Sequence, residues 1–224
     1  MRTTAIIVAA GSGSRLNSET PKQFISLAGK PVIIHAVERF VSAPSVDTIV
    51  VVLPSRYVTE LGGLDVSKPV RFVTGGPTRA KSVLNGLGAV DSDVEVVAIH
   101  DGARPFVSVD EIERTIAKAK QVGAACLVGP VTDTIKTIRG EEISGTLDRD
   151  KLRRALTPQA FKIDVLRRAF ETAELSDAIT DECYLVEKLG HPIAFVEGSS
   201  RNIKITHAED LAVAEALLKE EAGS

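Results

Sequence analysis

A chain of 224 residues, 44% of them hydrophobic, is long enough to bury a full core, and its formal charge of −3 excludes the basic field that drives nucleic-acid binding. No apolar run approaches the ~18 residues of a membrane span, and Met1 to Thr4 run straight into a short apolar stretch without the layout of an export signal. Cys126 and Cys183 lie far apart in sequence, cannot make a metal cluster by themselves, and read as buried free thiols of a reducing, cytoplasmic setting.

Strands are expected at 5–9 (AIIVA), 46–53 (VDTIVVVL), 70–73 (VRFV), 95–99 (EVVAI), 124–128 (AACLV) and 193–196 (IAFV). Several are apolar without polar alternation, which suits strands covered by helices on both faces. Helical periodicity falls between them, near 31–41, 78–89, 109–121, 163–174 and 181–189. A last helix is expected after Thr206, where Thr206 and Glu209 have capping-box spacing. The alternation of strand and helix argues for an α/β chain built as one domain, 1–224, around a doubly wound, mainly parallel sheet.

Residues 131–156 interrupt this rhythm. They lack a buried-strand pattern and carry a polar turn at Arg139-Gly140-Glu141-Glu142, flanked by what read as the two legs of a projecting β-hairpin. Pattern alone leaves open whether that hairpin embraces a second subunit or packs on its own domain.

The first strand runs into Ala9-Ala10-Gly11-Ser12-Gly13-Ser14-Arg15-Leu16, followed by Pro21-Lys22-Gln23. Ligands of open α/β sheets sit beyond the carboxyl ends of the strands, so this loop is placed to bind one. A dinucleotide fingerprint fails because its third glycine would fall at Leu16, and a P-loop fails because no Gly-Lys-Ser/Thr follows. What remains is a small-residue loop whose N–H groups can approach phosphate, with two cations behind it.

With Gly75-Gly76, Arg79 and Ser82, then His100-Asp101-Gly102-Ala103-Arg104-Pro105, Leu156-Thr157-Pro158-Gln159, Thr180-Asp181-Glu182 and Asn202-Ile203-Lys204-Ile205-Thr206 in order, the chain resembles the 2-C-methyl-D-erythritol 4-phosphate cytidylyltransferases of the sugar-nucleotidyltransferase superfamily. The resemblance spans nearly the whole chain. It implies a Rossmann-like nucleotidyltransferase fold and transfer of a cytidylyl group from CTP to methylerythritol phosphate, with release of pyrophosphate. It further implies that Arg15, Lys22 and Lys204 are the catalytic cations, and that Ala10, Gly11, Gly76, Arg79, Ser82 and Gly102 bind the nucleotide. Asp101 would hold Mg²⁺, and His100 reads as a packed strand residue rather than a ligand. Thr134, Arg149 and Lys204 would meet the acceptor, the first two from a 131–156 arm that crosses to the partner of a homodimer. Pro77 and Thr78 stand where relatives often carry acids, and Gly102 where an alanine is common. Ribitol-5-phosphate cytidylyltransferases share most of these motifs, though the Ala9-Ala10-Gly11 opening departs from their usual Ala-Gly-Gly. A non-catalytic nucleotide-binding subunit fits poorly with Arg15, Lys22, Asp101 and Lys204 all intact.

Overall fold

A computed structural model describes residues 1–11, 20–61, 64–174 and 179–223. Its centre is a seven-stranded sheet. In chain order the sheet strands are β1 (Arg2–Val8), β4 (Thr48–Leu53), β5 (Val70–Thr74), β6 (Val94–Asp101), β7 (Ala124–Pro130), β10 (Arg153–Lys162) and β11 (Ala194–Glu197), lying side by side as β11-β7-β10-β6-β1-β4-β5. All neighbours pair in parallel except β10, which is antiparallel to both β6 and β7. Two short strands, β2 (Ser26–Leu27) and β3 (Lys30–Pro31), form a separate hairpin beside it.

The unbroken apolar runs are explained by burial on two sides. Along β1, Ala5 and Ile7 face one core and Ile6 the other; along β4, Ile49, Val51 and Leu53 face the first and Val50 and Val52 the second. Side chains alternate across a strand, so both sets can be apolar only if both faces are covered. The first face is covered by α1 (Val32–Val41) and α4 (Val109–Val122), which contribute Ile33, Phe40, Ile112 and Ile116. The second is covered by α3 (Arg79–Gly88), α5 (Ile163–Thr172) and α6 (Glu182–Lys188), which contribute Val83, Leu166 and Val186. The free thiols of Cys126 and Cys183 are buried on this second face, where the fold brings them to one cleft. A short helix, α2 (Ser55–Leu61), has no fully buried residue, and Tyr57, Val58 and Leu61 pack partly buried against the first core, an apolar face too short to stand out in the sequence.

Two expectations need correction. Only part of 131–156 projects. The hairpin pairs β8 (Lys136–Arg139) with β9 (Glu142–Thr146) about Gly140, whose φ of +62° suits glycine. From Arg153 onward the chain has re-entered the sheet as β10, with Leu156 to Phe161 buried. Pro158 hides this strand from pattern reading, because proline cannot donate to a ladder; the pairing with β7 shifts register between Ala155 and Gln159. The last helix, α7 (Glu209–Ala222), starts without a side-chain cap from Thr206. Asp210, not Glu209, serves that end, accepting the N–H groups of Thr206 at 2.7 Å and His207 at 2.8 Å.

Candidate active site

Chain order reverses between β1 and β6: from β1 the chain builds outward through β4 and β5, then crosses back to lay β6 on the other side, with Val8 opposite Asp101. Such a switch point leaves a crevice at the strand ends. A cavity of about 430 Å³ lies there, lined by Ala10, Gly11, Lys22, Gly76, Arg79, Ser82, Asp101 and Lys204 among others. Eight residues singled out from sequence therefore converge from five separate segments. Arg15 lies outside the described residues. Gly102 does not line the cavity; its N–H donates to Val8 O at 2.9 Å and helps end the β1–β6 ladder. Thr134 and Arg149 are exposed on the projecting segment and do not line this cavity either, and Arg149 Nη1 donates to Thr132 O at 2.8 Å.

Local chemistry builds each wall. Lys22 opens a 3-10 turn, Lys22–Phe24, whose buried Gln23 donates from Nε2 to Ala9 O at 2.6 Å and Gly11 O at 2.8 Å. One amide thus ties the start of the small-residue loop to the turn that carries the cation. At the start of α3, Ser82 Oγ accepts the Gly76 N–H at 3.1 Å and donates to Thr78 O at 2.9 Å. Thr78 caps α3, accepting the Lys81 N–H at 3.2 Å, which gives its hydroxyl a local task. Gly75 has no room for a side chain: a Cβ there would lie 2.1 Å from Ala10 Cβ.

Asp101, at the end of β6, is the electrostatic centre. Lys204 Nζ donates to its Oδ2 at 2.8 Å, Arg79 Nε donates to Oδ1 at 3.2 Å, and Arg104 Nε stands 3.6 Å from Oδ2. Burial would raise this carboxyl, but Arg79, Lys204 and Arg104 outweigh it and hold Asp101 well below the usual carboxylate range, so it is an anion at any physiological pH. Arg79 also donates from Nη1 to Glu182 Oε1 at 2.6 Å. Glu182 is fully buried, and burial pushes its carboxyl up, with Arg79 only partly opposing.

Behind Asp101 the strand is locked by a chain of hydrogen bonds. The Asp101 N–H donates to Thr157 Oγ1 at 3.1 Å. His100 Nε2 lies 2.9 Å from the Arg104 carbonyl, which can only accept, so Nε2 carries the ring proton and Nδ1 accepts from the Thr157 hydroxyl at 3.0 Å. Burial lowers the ring's pKa to about 4, which keeps it neutral. Asn202 Nδ2 donates to Thr157 O at 2.9 Å, fastening the loop that carries Lys204. Thr157 on β10 therefore ties together β6 and the 202–204 loop.

Gln23, Arg104 and Glu182 belong to this site although the sequence reading gave them no role. Gln23 follows Lys22, Arg104 lies three residues after Asp101, and Glu182 is part of the Thr180-Asp181-Glu182 motif, so each was visible as a neighbour of an assigned residue. Gln23 reaches Gly11 from 12 positions away and Glu182 reaches Arg79 from 103, which spacing does not reveal.

The arrangement suits a polyanion: cationic side chains and backbone N–H groups around small residues, beside one ionised carboxylate. Among the described residues no three His, Cys, Asp or Glu side chains gather to hold a metal by themselves, and no helix is long and apolar enough to cross a membrane. The family model described as 2-C-methyl-D-erythritol 4-phosphate cytidylyltransferase matches residues 3–220. A relative of that name from Bacillus licheniformis is 40% identical, with 99% of this chain and 97% of the relative covered. A bifunctional enzyme IspD/IspF from Desulfotalea psychrophila is 41% identical over 98% of this chain, which spans 58% of that relative's length. The crystal structure of 4-diphosphocytidyl-2C-methyl-D-erythritol synthase from Anaerococcus prevotii superposes with a TM-score of 0.85 at 30% identity, covering 97% of this chain and 96% of that one.

Proposed function

The chain belongs to the 2-C-methyl-D-erythritol 4-phosphate cytidylyltransferase family, and from that premise we propose that it joins the phosphate of 2-C-methyl-D-erythritol 4-phosphate to the α-phosphorus of CTP. The acceptor's phosphate oxygen forms a bond to Pα, the bond from Pα to the bridging oxygen of the β-phosphate breaks, and pyrophosphate leaves with that electron pair. The products are pyrophosphate and 4-diphosphocytidyl-2-C-methyl-D-erythritol, an intermediate of isoprenoid biosynthesis. The observation that carries this reading is the cation-lined cavity at the β1–β6 switch point, assembled from the residues that the family resemblance assigns.

The acceptor phosphate is already ionised at pH 7, so the difficulty is charge and alignment rather than proton removal. Two anions must meet, and fixed cations are the remedy. At ~4 Å and an effective dielectric near 20, one unit-charge pair contributes on the order of 4 kcal/mol. Lys22 and Lys204 are the cations we assign to the reacting phosphates, joined by Arg15. Arg79 holds the nucleotide, while Ala10, Gly11, Gly76 and Ser82 form a narrow seat that suits a pyrimidine better than a purine. Asp101 fits the task of holding Mg²⁺: it is ionised, at the cavity wall, and a single carboxylate with substrate phosphates is the usual way Mg²⁺ is held. Held by Asp101, the metal would supply positive charge to offset the negative charge of the phosphates. Asp101 then needs release from Lys204 and Arg79, which frees those cations for phosphate.

Thr134 and Arg149 are assigned to the acceptor from the partner of a homodimer. The projecting hairpin exposes Ile138 (74%) and Ile143 (69%), an apolar pair at its tip that supports an interface role. Free, buried cysteines suit a cytoplasmic setting. The test is pyrophosphate release from CTP in Mg²⁺, crossed with methylerythritol phosphate and ribitol 5-phosphate. Fast release with the former and poor use of UTP, ATP and GTP are expected. A preference for ribitol phosphate would reject the acceptor assignment, and no release with either would reject the transferase reading.

A further inference from the structure

Glu182 presents an energetic puzzle. It is the first residue of α6, yet the helix start is served without its side chain: Asp181 Oδ1 accepts the Tyr184 N–H at 2.9 Å, and Gln159 Oε1 accepts those of Glu182 and Cys183 at 3.2 and 3.0 Å. An acid that merely favoured the helix N-terminus could stay in water. Glu182 instead is completely buried, and its Oε2 has no hydrogen-bond partner among the described residues. Burying a carboxylate with an unpaired oxygen is costly. Its one ion pair among the described residues is Arg79.

Arg79 is the side chain that needs restraint. It lines the cavity, stands beside Asp101, and has a guanidinium able to form two parallel bonds to one carboxylate. Lys204 already holds Oδ2 of Asp101, so this carboxylate offers Arg79 one oxygen, Oδ1, and does not by itself fix the guanidinium. Glu182 holds Nη1 and Asp101 holds Nε, which fixes the plane of the guanidinium, and Nη2 makes no hydrogen bond among the described residues. The tether is firm because Gln159 of β10 binds α6 at both Asp181 and Glu182.

We infer that Glu182 is a positioning residue of the nucleotide site: by holding Nη1 it fixes the guanidinium of Arg79 and keeps Nη2 available to the incoming nucleotide. Glu182 does not line the cavity and acts through Arg79 alone. The inference rests on the reading of the cavity as a CTP site.

The test is a double-mutant cycle with Glu182→Gln, Arg79→Ala and the two combined, following CTP affinity by calorimetry without acceptor and steady-state turnover with it. Glu182→Gln keeps the shape and removes the charge. It should raise the Kd and KM for CTP about 10-fold, a loss of roughly 1.4 kcal/mol, with kcat within about 3-fold and the KM of the acceptor unchanged. In the Arg79→Ala background the second substitution should have no further effect on CTP. Additive losses, or a fall in kcat with CTP affinity intact, would overturn the inference. Thermal unfolding checks the fold of each variant; if Glu182→Gln does not fold, Glu182→Asp, with its carboxylate one methylene further from Arg79, must show the same CTP-specific loss or the inference fails. A wild type that neither binds nor turns over CTP overturns the functional reading and this inference together, whereas an active wild type with additive variants overturns the inference alone.

Discussion

Acidification should cost this protein about 3 kcal/mol through a single ring, His100. The imidazole is fully buried, and both nitrogens are satisfied in the neutral tautomer, Nε2–H on the Arg104 carbonyl and Nδ1 on the Thr157 hydroxyl. Protonation would place a second N–H against Thr157 Oγ1, which already accepts from the Asp101 N–H, and would add a charge near the Arg104 guanidinium. Burial is the largest cause of the fall in pKa from the ordinary 6.5 to about 4. Between those values the unfolded chain binds a proton that the folded chain refuses, so unfolding takes up protons and stability rises with pH. The contribution is complete above pH 6.5 and is lost as pH falls to about 4; at about 1.4 kcal/mol per pH unit the loss is about 3 kcal/mol. Other groups titrate nearby, with different signs. Glu182, raised by burial, gains stability on acidification, and the depressed Asp101 loses its contribution only below its ordinary 3.8. Urea unfolding of wild type and His100→Gln at pH 7, 6, 5 and 4.5 separates them, because those groups are common to both chains. The variant should be the less stable at pH 7, having lost an acceptor for the Thr157 hydroxyl, and the gap should narrow by about 2.5 kcal/mol at pH 4.5. Parallel pH profiles for the two proteins would refute the assignment of a buried neutral ring.

Two further outcomes follow from the site. Gly75→Ala should destabilise the fold by about 1–3 kcal/mol in chemical unfolding and raise the KM for CTP several-fold, because the new Cβ meets Ala10 and Ser82, both of which line the cavity; Gly88→Ala, with open space around it, should be neutral or slightly stabilising, and equal behaviour of the two would refute the packing argument. On the proposed homodimer with a crossing arm, mixing inactive Lys22→Ala with inactive Arg149→Ala after subunit exchange should restore roughly a quarter of wild-type activity, since half the dimers would be mixed and one site in each intact; no recovery, with exchange shown independently, would reject a crossing arm.

The uninterrupted apolar runs were sufficient to read an α/β chain with a sheet covered on both faces, because strands such as Thr48–Leu53 bury every residue and the chemistry of burial is written directly in composition. The cavity residues were legible for a different reason. Their motifs follow one another in the order of the family that the chain resembles, and that resemblance singled out Ala10, Lys22, Gly76, Arg79, Asp101 and Lys204, which the fold brings to one cavity. β10 was not legible, because its burial is divided by Thr157-Pro158 and its antiparallel pairing is decided by strands more than 20 residues away. Nor was the division of labour around Asp101. Which of Arg79, Arg104 and Lys204 reaches the carboxylate, and that Glu182 takes hold of Arg79 from 103 positions away, depends on distances of about 3 Å set by the packing of β6, α3, α6 and the 202–204 loop. Residue types and their order determined the fold class and the inventory of charges. Tertiary structure decided the pairing, because Coulomb energy and hydrogen bonding depend on separation in space, and separation along the chain does not determine it.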